Sequence, residues 1–377
     1  MLLRYDAPGG VETMVRELTR VLVARGETVR IYASDIYDEG RWVRRKDPST
    51  EVDGVPVERF PVYRRLIPGL TLPLLPGLMD RLRQDAPDLI HAHSHRYGHV
   101  IQAAAVAESQ EVPLVVSTHY HPADRAEPPL KRGLLRVQDH LFGMTAYRAA
   151  AALVVESAFE ARQVSEFAPG SKIRVIPPGL DLGPWGRLPS PEAARKRTGL
   201  PSRYLLFSGR LARNKGLPFL LEAFSRVPPS RRVPLVLMGR DWGMGPALRE
   251  EAQRRGLEKE VIFLGERPDP EDYRATFAGA EAFVLPSEYE AFGLVLLEAM
   301  AAGLPIVATR VGGVPEAVGD DALLVPYSDA EALASALASL LGDPRRRRDL
   351  SDRGRERVQA FRWERTGEAF QTLYRSL

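Results

Sequence analysis

The sequence predicts an α/β protein made of two doubly wound domains in tandem, and three observations carry that prediction. Short apolar runs rich in β-branched residues alternate with amphipathic helical patterns over nearly the whole chain. The rhythm restarts after a Pro-Pro-Gly break at Pro177 to Gly179. At 377 residues the chain exceeds what one ordinary hydrophobic core organises, so two domains of fewer than about 200 residues each fit it better.

Taken in order, Met1 to Tyr5 supplies only a short first strand, and a helix is expected directly after Pro8-Gly9-Gly10. There Val15, Leu18, Val21 and Leu22 recur at helical spacing. Strands are expected at Val29 to Ala33, Asp88 to His91, Leu114 to Ser117, Ala152 to Glu156 and Ile173 to Ile176. Leu66 to Met79 breaks the rhythm, being apolar but divided by prolines and glycines, and it follows Arg64 and Arg65. Either a Pro-rich loop packed on its own domain or a mobile loop touching the acceptor or a membrane suits that composition.

In the second half Tyr204 to Ser208, Val233 to Met238, Val261 to Leu264, Ala282 to Leu285, Ile306 to Ala308 and Ala322 to Val325 read as strands. Arg345 to Arg348 reads as a solvated surface run. Trp363 to Leu377 is a last amphipathic helix with Phe370, Leu373 and Tyr374 on one side. The first domain is therefore expected over residues 1–172 and the second over 173–362, with helix 363–377 packing back on the first. Ligands of such sheets sit beyond the carboxyl ends of the strands, so the chemistry is expected at strand-to-helix turns.

Composition removes several classes. A hydrophobic share of 44% with 27% charged residues suits a globular chain, and no apolar run approaches the roughly 20 residues of a membrane span. Met1 to Gly10 lacks the features of a secretory leader, so export is not expected. There is no cysteine, which excludes disulfides and thiolate catalysis and suits a cytoplasmic setting, with peripheral contact at the inner face of a membrane as a variant of it. The net charge of +3 with a pI near 9.1 fits an anionic ligand or an acidic membrane, but better a bland arginine-rich surface.

Three turns carry chemistry. Gly9-Gly10 lets a phosphate approach the backbone at a helix start, although a plain tight turn reads the same way. No third glycine follows at the spacing of a dinucleotide fingerprint, which counts against hydride transfer. Ser208-Gly209-Arg210-Leu211-Ala212-Arg213-Asn214-Lys215-Gly216 follows a strand and places two cations around a loop suited to a diphosphate. Each charge-assisted hydrogen bond there contributes about 1.5 to 3 kcal/mol. The turn lacks the glycines and hydroxyl residue of a Walker loop, so ATP hydrolysis is not expected.

The third turn runs from Pro286 to Met300, with Glu290 in the loop and Glu298 on the helix that begins near Gly293. Carboxylates so placed hold ligand hydroxyls, and the amides of Phe292, Gly293 and Leu294 suit an anionic oxygen. The structural alternative makes Glu290 a helix cap and Glu298 a solvated residue.

These motifs, with Gly312-Gly313-Val314-Pro315-Glu316, Gly9-Gly10-Val11-Glu12 and Ile176-Pro177-Pro178-Gly179-Leu180-Asp181, resemble the retaining GT-B glycosyltransferases of family 4 over nearly the whole chain. The resemblance implies two Rossmann-like domains facing each other across a cleft, and transfer of a hexosyl group from a UDP- or GDP-linked sugar to a glycan or lipid-linked acceptor. It implies that Arg210 and Lys215 hold the donor pyrophosphate at the Gly209 turn, Glu290 the transferred sugar and Glu298 the ribose. Phe292, Gly293 and Leu294 would meet the sugar and distal phosphate, Gly265 and Glu266 the nucleobase, and Gly9 and Gly10 the diphosphate. Two departures stand out: the short first strand, and Pro178 where asparagine commonly stands.

Six of the seven histidines fall between His91 and His121. A zinc hydrolase would need an acid just after such a cluster and further ligands downstream, and Ser94, Arg96 and Tyr97 supply none. The resemblance instead places His119 beside the donor sugar, with His95 and His121 as weaker candidates for the acceptor side; packed, satisfied histidines are the better explanation of each. Glu288 and Glu290 could form a carboxylate pair for a divalent ion. Because Arg210, Lys215 and the helix start already supply positive potential, no metal and no cofactor are expected. A nucleotide-sugar epimerase on the same frame is the nearest alternative; a phosphorylase would need pyridoxal phosphate and far more chain. A basic nucleic-acid-binding protein is the alternative of another class, but no basic stripe with interleaved aromatics is present.

Overall fold

The structure is a computed structural model of the chain and describes residues 5, 9–38, 43–62, 66–67, 70–71, 74–122 and 128–377. Two compact units emerge: Met1–Gly179 together with Trp363–Leu377, and Leu180–Arg362. The strand read from Ile173 pairs in parallel with the strand at Ala152–Val155, so the first unit runs seven residues beyond the expected position 172 and ends at Gly179.

In the first unit β1 (Ile31–Ser34), β2 (Ser49–Val52) and β3 (Val55–Phe60) form a sheet in the order β1-β3-β2. The β2–β3 hairpin turns at Asp53-Gly54, both with positive φ (53 and 78), the backbone that a tight two-residue hairpin requires. The sequence reading missed this hairpin because its strands are only partly apolar. β4 (Ile90–His93), β5 (Leu114–Ser117), β6 (Ala152–Val155) and β7 (Ile173–Val175) make a parallel sheet in the order β7-β6-β5-β4.

Alternation along β5 and β6 feeds two cores. Leu114, Val116, Leu153 and Val155 join the face covered by helix Gly98–Gln110. Val115, Ala152 and Val154 join Met14, Leu18 and Leu22 of helix Gly10–Ala24 with Trp363, Phe370 and Leu373 of the returning helix Trp363–Arg375. Strands covered on both faces read as continuous apolar runs, which is why the sequence marked them clearly.

The second unit holds β8 (Leu205–Ser208), β9 (Leu235–Met238), β10 (Val261–Gly265), β11 (Ala282–Leu285), β12 (Ile306–Thr309) and β13 (Leu323–Val325). All are parallel, in the order β10-β9-β8-β11-β12-β13. Successive crossovers run outward from β8 in one direction, then from β11 in the other, so the order reverses between these two strands. That switch point is where a doubly wound sheet opens a crevice for ligands.

One expectation changes at Arg347, and another lies partly outside the described residues. Arg345 and Arg346 start helix Pro344–Arg357, their amides capped by Asp343. Arg347 is not solvated: it is half-buried and pairs with Glu281 at 2.8 Å. Of Leu66 to Met79, residues 68–69 and 72–73 and the side chains of 66–73 lie outside the described residues, as do Arg64 and Arg65. Leu75 and Leu78 are buried, the latter opening helix Leu78–Asp85.

Candidate active site

The crevice of the second unit is built from the loops that leave β8 and β11. The β8 loop ends at Gly216, whose φ of 63 starts helix Leu217–Arg226. A side chain at Gly216 would collide with the carbonyl of Pro286, so glycine is what allows the two loops to touch. The amide of Glu288 donates to the carbonyl of Asn214 at 2.9 Å. Across this contact the ammonium of Lys215 meets Glu290 Oε1 at 2.5 Å, with both side chains largely buried. The Ser287 hydroxyl donates to the same oxygen at 2.6 Å.

Glu290 is held from behind as well. Gly312 and Gly313 lie so close to the carbonyls of Glu290 and Ala291 that side chains there would clash. The Gly313 amide donates to the Glu290 carbonyl at 2.9 Å. Arg210, at the start of the β8 loop, is exposed and lies over the Trp242 ring, 4.7 Å from its centroid. Such stacking orients a guanidinium while leaving its N–H edge open.

Helix Leu294–Ala301 starts at Gly293, whose φ is 95. The amides of Phe292, Gly293 and Leu294 have no backbone partner among the described residues, as is usual for the first turn of a helix. One turn in, Glu298 accepts from the Tyr273 hydroxyl at 2.7 Å. The Ser208 hydroxyl lies 3.2 Å from that of Tyr273. Burial pushes the Glu298 carboxyl up to about 7, against the lowering effect of the Tyr273 hydrogen bond. Gly265 and Glu266 are exposed at the end of β10, two strands from the switch point.

The first unit places its candidates differently. Gly9 and Gly10 open helix Gly10–Ala24, the Gly9 carbonyl accepting from the Thr13 amide at 2.9 Å. His119 follows β5 in left-handed backbone (φ 43), and its Nδ1 bonds Glu156 Oε1 at 2.8 Å. His93 Nδ1 lies 3.2 Å from His119 Nε2, and the two rings stack. Burial lowers the basicity of His119, but the carboxylates of Glu156, Glu160 and Glu12 together outweigh it and the net shift is upward. For His91 burial wins, bringing its pKa down to about 3, and His93 moves the same way.

His95 corrects the acceptor-side reading. It is 5% exposed. Its Nδ1 meets the Tyr147 hydroxyl at 2.6 Å and its Nε2 meets Asp139 at 2.8 Å. Both ring nitrogens are engaged, so nothing remains for a ligand. His121 is exposed, and its carbonyl accepts from Arg96 at 3.0 Å. The residues that the sequence did not flag are Trp242, Tyr273, Ser287 and Glu156. Ser287 lay within a motif already singled out, whereas Tyr273 sits inside a helix with no local signal.

The fold and crevice define a GT-B glycosyltransferase. Sucrose-phosphate synthase from Thermosynechococcus elongatus matches with a TM-score of 0.78 and 27% identity, over 98% of this chain and 93% of that one. The family follows from the sequence matches. The Glycosyltransferase Family 4 profile covers residues 8–183 and the Glycosyl transferases group 1 profile residues 191–357. A D-inositol 3-phosphate glycosyltransferase from Kineococcus radiotolerans is 32% identical over 97% of this chain and 90% of its own length. A glycogen synthase from Mycobacterium tuberculosis is 34% identical over 76% of this chain and 68% of its own. The chain belongs to the group 1 glycosyltransferases of family 4 and is a hexosyltransferase.

Proposed function

We propose that the enzyme transfers a hexosyl group from a UDP- or GDP-linked sugar to a glycan or lipid-linked acceptor, with retention at the anomeric carbon and without a metal ion. The Lys215–Glu290 pair at the switch point carries this reading. It sets a cation for a diphosphate and a carboxylate for sugar hydroxyls side by side, beyond the carboxyl ends of β8 and β11.

Arg210 and Lys215 take the diphosphate from the Gly209 turn, and the amides of Phe292, Gly293 and Leu294 meet its distal phosphate. Glu290 accepts from the transferred sugar, Glu298 from the ribose, and Gly265 and Glu266 border the base. In the first unit the family resemblance assigns Gly9, Gly10 and His119 to the donor and His121 to the acceptor. In the reaction the bond from the anomeric carbon to the phosphate oxygen breaks and its electron pair moves onto the diphosphate. The acceptor hydroxyl bonds that carbon from the same face and gives its proton to the leaving oxygen. Arg210 and Lys215 stabilise the diphosphate increasingly as its charge grows, which is the differential stabilisation that accelerates a step.

The relatives' names differ in acceptor, so the acceptor class stays broad. The test is a screen of UDP-, GDP- and ADP-sugars for nucleoside diphosphate release in the presence of acceptors, with the anomer of the product read by proton NMR. Release that requires an acceptor and an unchanged anomeric configuration are expected. An inverted product overturns retention, and acceptor-independent interconversion of two nucleotide sugars would make the enzyme an epimerase.

A further inference from the structure

Glu160 of the first unit is fully buried and has no role in the reaction as described above. It closes a Ser-x-x-Glu start, Ser157-Ala158-Phe159-Glu160, and its amide donates to the Ser157 hydroxyl oxygen at 3.1 Å as helix Ala158–Val164 begins. A helix cap asks nothing further of it. Its carboxylate nevertheless reaches out of its own helix to the loop that follows β5. There Oε1 accepts from the Thr118 hydroxyl and from the Tyr120 amide, each at 2.6 Å. Oε2 accepts from the Glu156 amide at 2.7 Å, just past β6. These three partners surround one residue. Thr118 and Tyr120 are the chain neighbours of His119, and Glu156 holds the His119 ring through Nδ1 at 2.8 Å. The φ of His119 is 43, in a region that residues other than glycine seldom occupy. Backbone of that kind persists where surrounding contacts over-determine it, and Glu160 supplies such a contact on either side.

We propose that Glu160 is a positioning residue for the transfer reaction: resting on the reading of His119 as a donor contact, it binds Thr118, Tyr120 and Glu156 at once and so fixes the backbone and the ring of His119 as one unit. The carboxylate ties the segment after β5 to the segment after β6, and a shift of either segment is transmitted to His119. A misplacement of about 1 Å in a group that meets the substrate costs about a hundredfold in rate, and a buried supporting hydrogen bond is what prevents it. Shape alone does not meet the requirement. Each carboxylate oxygen accepts from a backbone amide, Oε1 from Tyr120 and Oε2 from Glu156. The NH2 group of a glutamine would therefore face an N–H donor whichever way it turned.

The experiment is a double-mutant cycle of Glu160→Gln and His119→Ala, run with the donor and acceptor pair found by nucleoside diphosphate release. It is run at about pH 8, where the Glu160 carboxyl, pushed up to about 7 by burial and by Glu156, is charged. Glu160→Gln is expected to lower kcat about tenfold when His119 is present and by less than about twofold once it is alanine. Thr118→Val removes only the hydroxyl bond; it should show the same dependence at about threefold, and it carries the test if Glu160→Gln does not fold. The His119 ring is read separately, with no ligand, by nitrogen NMR of protein labelled at histidine, its signals being those lost in His119→Ala. Both variants should move these signals and leave those of the exposed His140 in place. Unmoved His119 signals, an unchanged kcat, or a loss equally large with and without His119 overturns the proposal and leaves Glu160 a helix cap. Moved signals together with normal turnover in His119→Ala overturn it by a different route: Glu160 then holds His119, but His119 is no donor contact.

Discussion

The two units use the same kind of parallel sheet but treat their ionisable groups in opposite ways. In the second unit Arg210, Lys215, Glu290 and Glu298 belong to strand-to-helix segments, where Arg210 stacks on Trp242, Lys215 pairs with Glu290 and Glu298 accepts from Tyr273. In the first unit, histidines follow β4 into the interior, where burial holds His91 and His93 neutral. Burial lowers His119 as well, but the carboxylates of Glu156, Glu160 and Glu12 turn its net shift upward. Burial rather than position along the strand separates them: His93 within β4 and His95 just beyond it are both buried, whereas Arg210 stands exposed at its turn.

The largest break in that comparison should come from Lys215→Ala. Turnover is expected to fall about 100- to 1000-fold. Leaving Glu290 without its cation should cost the second unit about 3 kcal/mol, measured by kcat and by thermal unfolding. Normal turnover would remove Lys215 from the mechanism.

In the first unit, His119→Ala should lower turnover about 10- to 100-fold. The stabilisation from the His119–Glu156 pair has a definite pH signature. It is fully present below the ordinary histidine pKa of 6.5 and lost as pH rises through the raised folded value. The melting temperatures of wild type and Glu156→Gln should therefore differ most in mild acid and converge in alkali.

Glu298→Gln should raise the donor KM about tenfold with little change in kcat. Because the Glu298 carboxyl titrates near 7 and its charged form accepts hydroxyl hydrogen bonds more strongly than the protonated one, donor KM in the wild type should fall as pH rises through about 7. The effect on stability has the opposite sign. The folded form keeps a proton that the unfolded form loses above 4.5, so this group's contribution declines between 4.5 and about 7. Glu298→Gln should flatten that part of the profile.

His95→Ala sharpens the contrast from the other side. It leaves Asp139 and Tyr147 short of partners, so a loss of about 2 to 4 kcal/mol is expected with donor and acceptor KM unchanged. A raised acceptor KM would restore His95 to the site. The smallest effect is reserved for EDTA, which should leave turnover unchanged; loss of activity that manganese restores would overturn metal independence.

How much of this was legible depended on burial. Every strand of the second sheet was marked by an apolar run, because parallel strands covered on both faces need continuous hydrophobicity. The hairpin of β2 and β3 was missed because one of its strands, Ser49–Val52, has no buried residue. Glu290, Lys215 and Glu298 were visible because turn motifs leave local signatures. Tyr273 and Trp242 were not, since each reaches its partner from a different strand-to-helix segment.

The sequence by itself determined the alternation of elements, the turns that carry charge and the family. Those properties are local, written in periodicity and short motifs. Only the tertiary structure decided that Lys215 meets Glu290, that His95 is consumed by Asp139 and Tyr147, and that Leu130, Leu134, Val137 and Leu141 of helix Pro129–Phe142 are exposed. Each of those depends on which side of an element meets the core, and periodicity shows that a face exists without saying what covers it.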